Sequence, residues 1–261
     1  MRELNRPVVA AIAITLLCSP ALAQNTGRPP EQKAPQEDRK IAYGIESDFS
    51  AGYAWRGLVV SDRPVIQPAA WVSRSGFTFI AWSNFSLRDT SEGTRPRVTD
   101  LILTHERHWK RLRIEPTIEA VLFRDSAGVE TSSSLQGSVQ LSFPVGRLRL
   151  TTIQSVDMLT HRGAYFGAAG VAYKERASPK AELEVSFDTG WASSTFNDIY
   201  IGIDKPAFNL IGVQSSLTYY VEPSLYVRPH SALSIIVGRQ LRRESLKPTF
   251  FNLGVAVGVE F

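Results

Sequence analysis

The groups in this chain able to do chemistry are carboxylates, guanidinium groups, amides and indoles set at alternate positions. Counting by twos along an extended backbone puts Glu46, Asp48 and Arg56 on one face. Gln67, Trp71, Trp82, Asn84 and Arg88 can face the same way on the next two segments. Further on, Glu182, Glu184 and Asp188 alternate with Ala181, Leu183, Val185 and Phe187, and Glu222 falls on the polar side of a segment with Ser216, Thr218 and Tyr220. Gathered around a bore, these residues would line a pore and form a constriction that reads the charge and shape of a small solute. The same groups could instead form an internal ion-paired network holding a narrow barrel together, because buried charge has to be paired. For most of these residues the network is the favoured reading.

Other chemistries find no support. Of the four histidines, only His105 and His108 are close, and a separation of three on a strand puts them on opposite faces. No metal site is expected from them. Ser83 and His105 could meet across a hairpin as an outward-facing lipid-hydrolase pair, but no His-x-Ser-Asn motif accompanies them. There is no P-loop, Gly-rich dinucleotide turn or EF-hand loop. Neither an enzyme nor a cofactor is expected.

The elements that would position these residues are strands. Phe250 to Phe261 places Phe251, Leu253, Val255, Val257, Val259 and Phe261 on one face and Asn252, Gly254, Ala256, Gly258 and Glu260 on the other. Twelve such strands can be drawn, at 41–56, 64–74, 76–88, 97–109, 111–124, 132–144, 147–159, 164–176, 180–194, 214–228, 231–243 and 249–261. Most reach the roughly 9 to 11 residues with which a tilted strand spans a bilayer. The strands at 97–109 and 147–159 alternate poorly; in the first, His105 and Arg107 share a face with Leu101, Leu103 and Trp109, and a bulge or register shift is expected there.

Connections after even-numbered strands are tight: Ser75, Lys110, Val145-Gly146, Ala177 to Pro179 and Pro229-His230. Those after odd-numbered strands are longer, including Asp89 to Pro96, Asp125 to Thr131 and Thr195 to Val213. Short turns at one end and long loops at the other are the pattern of outer-membrane barrels. Aromatic residues cluster near strand ends, with Trp55, Phe85 and Trp191 at one rim and Phe77, Trp109, Phe143, Tyr173 and Phe261 at the other. The fold expected is all-β, a transmembrane antiparallel up-and-down β-barrel of 12 strands over residues 41–261.

Residues 1–23 read as a signal peptide, with Arg2 and Arg6 ahead of an apolar run from Val8 to Leu17 and Ala21-Leu22-Ala23 as the cleavage signal. Leu16-Leu17 stand before Cys18 where a lipoprotein signal needs small residues, so acylation of Cys18 is the weaker reading. Residues 24–40, with three prolines and no large apolar side chain, read as a disordered periplasmic lead-in. The formal charge is +4, and +3 without the leader, which takes two arginines and one glutamate with it. So mild a balance argues against nucleic acid as a partner.

Ser47 to Leu87 resembles the start of the TorF family of outer-membrane porins, on Ser47, Asp48, Tyr53, Arg56, Gly57, Gln67, Ser75, Gly76, Trp82, Ser83 and Asn84. Phe49 stands where the family tends to have tyrosine. The resemblance implies a small barrel with a pore role and no settled substrate. The reading that follows is a Gram-negative outer-membrane channel for passive passage of small solutes. Its partners would be outer-membrane lipids and, through the strand ending at Phe261, the barrel-insertion machinery. If its inward carboxylates are not neutralised, the channel should prefer cations. The alternatives are a structural or adhesive barrel acting through its long loops and, last, a lipid-modifying enzyme.

Overall fold

Alternation of large apolar with small or polar residues turns successive side chains of an extended chain to opposite faces. The strands this produces are seen in a computed structural model that describes residues 41–87, 97–124, 133–245 and 247–261. They are β1 (Ala42–Ser50), β2 (Tyr53–Trp55), β3 (Leu58–Ser61), β4 (Val65–Arg74), β5 (Phe77–Ser86), β6 (Arg97–His105), β7 (Arg107–Trp109) and β8 (Leu112–Arg124). After them come β9 (Ser134–Val145), β10 (Leu148–Asp157), β11 (Tyr165–Ser178), β12 (Ala181–Ala192), β13 (Ala207–Tyr220), β14 (Leu225–Ile236) and β15 (Thr249–Glu260). Two short helices, α1 (Ser194–Ile201) and α2 (Arg239–Glu244), lie in loops. The leader, the lead-in, Arg88 and the loops Asp89 to Pro96 and Asp125 to Thr131 fall outside the described residues.

The sheet runs β6-β5-β4-β1-β15-β14-β13-β12-β11-β10-β9-β8-β7, and β6 also pairs with β8, so it closes on itself. β7 continues β6 past Glu106 without a change of register: Thr104 faces Thr117 and Arg107 faces Ile114. No bulge forms there. His105 and Arg107 break the pattern simply because both lie on the outward face. The wall is a closed antiparallel up-and-down barrel of 12 strands. Closure leaves no open edge for another chain to pair with.

The barrel closes between β1 and β15, with Gly44 opposite Glu260 and Ser50 opposite Gly254. Below the last ladder pair, Tyr43 and Phe261 exchange backbone hydrogen bonds at 3.1 and 2.8 Å and their rings approach to 5.4 Å. Both lie at the end of the barrel that carries the tight turns. At Ser75-Gly76 both residues have positive φ, 51° and 81°, the geometry of a two-residue turn that matches strand twist. The opposite end carries the long connections. The outward face is a continuous apolar band, with Ile45 59% exposed and Leu253 54% exposed. An exposed apolar surface of that extent needs a membrane or a partner to cover it.

Several boundaries differ from those the sequence suggests: the strand expected at 41–56 ends at Ser50, and the one expected at 231–243 ends at Ile236, ahead of α2 at Arg239–Glu244. Pro229-His230 is no turn. It lies inside β14, opposite Val255 and Gly254 of β15, and the tight connection is at 221–224 instead. Both places carry a proline, and turn chemistry alone does not separate them. Glu222 therefore sits exposed in that turn and not on an inward strand face. The expected loop Thr195 to Val213 contains α1 and the start of β13. Ser193 caps α1 by accepting a hydrogen bond from the Phe196 backbone N–H, and Gly202 ends it in the left-handed conformation at φ 82°.

Candidate functional site

The inward side chains fall into three groups, and the first straddles the closing seam. Between β14 and β1, strand β15 presents only Gly254, Ala256 and Gly258 inward over its central part. A Cβ on Gly258 would strike the Tyr226 ring, and one on Gly254 would strike His230 and Ser50. With that space open, β14 side chains cross a whole strand to reach β1. Tyr226 donates its hydroxyl to Glu46 at 2.6 Å, and Arg228 Nη2 donates to both Glu46 oxygens at 2.7 Å. His230 Nε2 lies 2.5 Å from Asp48 Oδ2, and Ser50 donates to Oδ1 at 2.5 Å. Both carboxylates are buried and hydrogen-bonded, as a charge inside a protein must be.

The second group is formed by the first long connection, which does not stay outside. β1 ends at Ser50, and at Gly52 the chain turns inward, its N–H donating to Asn252 Oδ1 at 2.9 Å. β2 and β3 then form a hairpin whose tip, Arg56-Gly57, has φ of 51° and 82°. Tyr53 packs among inward residues of β4, β5, β6 and β8, including Trp82 at 5.6 Å, Val98 and Val121. Trp55 stacks on Phe196 of α1 at 5.7 Å and meets Tyr200 edge-on at 5.0 Å. The tip reaches the far wall: Arg56 Nη2 donates to Gln136 on β9 at 2.6 Å and to Ser155 on β10 at 2.7 Å. Its guanidinium also lies 5.1 Å from the Phe166 ring of β11. Arginine stays charged at neutral pH, so the tip carries a fixed positive charge to this wall.

Arg56 is therefore not on a strand face with Glu46 and Asp48, as its even spacing suggests. The parity holds across Ala51-Gly52, but the chain has left the wall. Of the other candidates, Gln67 and Asn84 are buried on neighbouring strands and joined at 3.1 Å. Trp71 and Trp82 belong to the apolar cluster under the hairpin. Trp71 lies over Gly44, where a Cβ would come within 2.7 Å of the indole. Trp55, expected at the outward rim, points into the bore, whereas Trp191 does face outward, against Phe208.

The third group fills the half of the bore nearer the tight turns, and it is ionic. Glu182 is 2.8 Å from Lys174, Glu184 is 2.9 Å from Arg149, and Glu115 is 2.7 Å from Arg113. Asp188 is fully buried on β12, opposite Gly212 of β13. These three carboxylates, like Glu46 beside Arg228, are thus neutralised where they stand. Arg149 and Lys174 complete two of these pairs. Their inward facing follows from the alternation of β10 and β11, which places them between Leu148 and Leu150 and between Tyr173 and Glu175.

Asn209 is a further buried group that the sequence does not flag. Opposite β12 the register shifts between Gly190 and Trp191, leaving Asn209 as the extra residue on β13. The bulge turns it inward, where it donates to Asn197 of α1 at 2.6 Å, while Asn197 donates to the Lys205 carbonyl at 2.7 Å. This chain of amides docks α1 at the end of the bore, beside the hairpin.

A closed barrel with an apolar outside and a charged inside is the architecture of a transmembrane β-barrel. Known structures share the fold. An outer membrane channel from Pseudomonas putida F1 superposes with a TM-score of 0.52 at 11% identity, covering 90% of this chain and 99% of that one. The NanC porin superposes with a TM-score of 0.52 at 9% identity, covering 84% of this chain and 98% of that one. No protein-family model and no curated protein matches the sequence.

Proposed function

We propose that the protein is a Gram-negative outer-membrane channel for the passive passage of small polar solutes, narrowed by its first long loop. The observation that carries this reading is the radial division of the wall, with charged and amide groups inside and an apolar band outside. A structural plug alone would be served as well by an apolar interior, which is cheaper to bury than ion pairs. The channel folds of the two superposing structures and the resemblance of Ser47 to Leu87 to TorF-family porins support the same reading. With Glu46, Glu115, Glu182 and Glu184 each beside a cation, discrimination between small anions and cations is expected to be weak.

Planar-bilayer recording of the purified barrel tests this. Wild type should give small conductance steps, and replacing residues 52–63 by an Asn-Gly turn should enlarge them several-fold by emptying half of the bore. Silence from both proteins, once each is shown to be folded, would overturn the channel reading. Equal conductance from the two would overturn the role of the hairpin as the constriction.

A further inference from the structure

Strand alternation also segregates charge at the rim that carries the tight turns. Arg74, Arg107, Lys110 and Arg111 belong to two neighbouring connections, β4 to β5 and β7 to β8, and all four are exposed. The acids of the same sector point the other way: Glu106 and Glu115 face the bore, where both hold Arg113. Among the described residues, β4 to β9 carry no carboxylate on their outward faces, and none of the four cations has a carboxylate partner. Aromatic rings lie among them. Lys110 Nζ is 5.8 Å from the Trp109 ring, Arg111 is 5.4 Å from Phe143, and Arg107 Nε donates to His105, which stacks on Phe77 at 4.0 Å. Trp109 is 65% exposed, the most open of the rings at this rim.

We infer that this patch, at the edge of the apolar band, is a docking site for an anionic glycerophospholipid of the adjoining leaflet, the cations holding its phosphate and the rings its glycerol region. Guanidinium groups match phosphate geometry, and long basic side chains extend from apolar surface to reach a headgroup. Amphipathic rings prefer that same boundary. A free anion would find no reason for the surrounding rings, and a protein partner no reason for the patch to lie against the membrane-facing band. The inference rests on the membrane reading of the barrel, which is tested separately by its insertion into vesicles and its folded gel migration.

The experiment uses the full barrel in vesicles of equal parts phosphatidylcholine and phosphatidylglycerol, extracted gently, with the retained lipid identified by native mass spectrometry. Wild type should retain phosphatidylglycerol over phosphatidylcholine, less so at high salt. Each cation changed to glutamine, as in Arg74→Gln or Lys110→Gln, should weaken retention about fivefold, the worth of one basic residue at an anionic surface. Changing Arg147→Gln and Lys180→Gln, rim cations outside the patch, should leave retention unchanged. No preference in wild type, equal loss in the control variant, or displacement by millimolar inorganic phosphate would each overturn the inference. Because the wild-type preference is itself a result, a variant that failed to fold would not remove the test.

Discussion

Glu46 is buried inside the barrel as a hydrogen-bonded carboxylate because Tyr226 and Arg228 reach it across β15. Removing one partner of such a pair leaves a desolvated charge, which costs more than the pair contributes when intact. Arg228→Met should therefore destabilise the folded barrel by about 3 to 5 kcal/mol, read as a lower urea midpoint in detergent. The double change Arg228→Met with Glu46→Gln should recover part of that loss, since the stranded charge goes with it. Gly258 acts by having no side chain. Gly258→Leu would occupy the place of the Tyr226 ring, and folding into vesicles should slow or fail while Val257→Leu, on the outward face, is tolerated.

At the scale of elements, the hairpin β2–β3 and helix α1 decide how much of the bore is open. The two are joined by Trp55, which contacts both Phe196 and Tyr200, and Asn209 ties α1 to the wall. The hairpin is held at its tip by Arg56 and along its length by apolar contacts. Arg56→Ala should loosen the tip without removing the hairpin. Bilayer recordings should then show noisier current with transient larger openings, short of the steady increase expected from removing residues 52–63. A quiet trace at wild-type conductance would mean that the apolar packing alone holds the hairpin. The alternating pattern of β1 continues in phase through Arg56, so sequence reasoning extends the strand. What ends it is tertiary: the Gly52 N–H finds Asn252, and the tip finds acceptors on β9 and β10, 80 and 99 residues further on.

For the whole molecule, closure makes every strand depend on its two neighbours, so unfolding is expected to be a single cooperative event. Unheated protein should migrate differently from boiled protein in detergent gels, and the two bands should interconvert without intermediates. A single band at all temperatures, or recovery of the protein as a soluble monomer, would contradict a membrane barrel. Selectivity belongs to this scale too, because it depends on the sum of the inward charges and not on any one of them. Bi-ionic reversal potentials near zero are expected where Glu46, Glu115, Glu182 and Glu184 are paired as described. A strongly cation-selective trace would mean that those pairs do not hold in the conducting state.

The strand count, the all-β class, the division into short-turn and long-loop ends and the inward facing of Glu46, Asp48, Gln67, Trp71, Trp82, Asn84, Glu182, Glu184 and Asp188 are local matters. A period of two and the spacing of turn residues fix them wherever the chain stays in the wall. Only the tertiary structure decided where it leaves the wall, which of two prolines marks a turn, and which charges pair across strands. Arg56 shows the limit. Its residue type and parity made it a candidate, but its position against the far wall of the bore depends on partners in β9, β10, β11 and α1 that closure brings within reach.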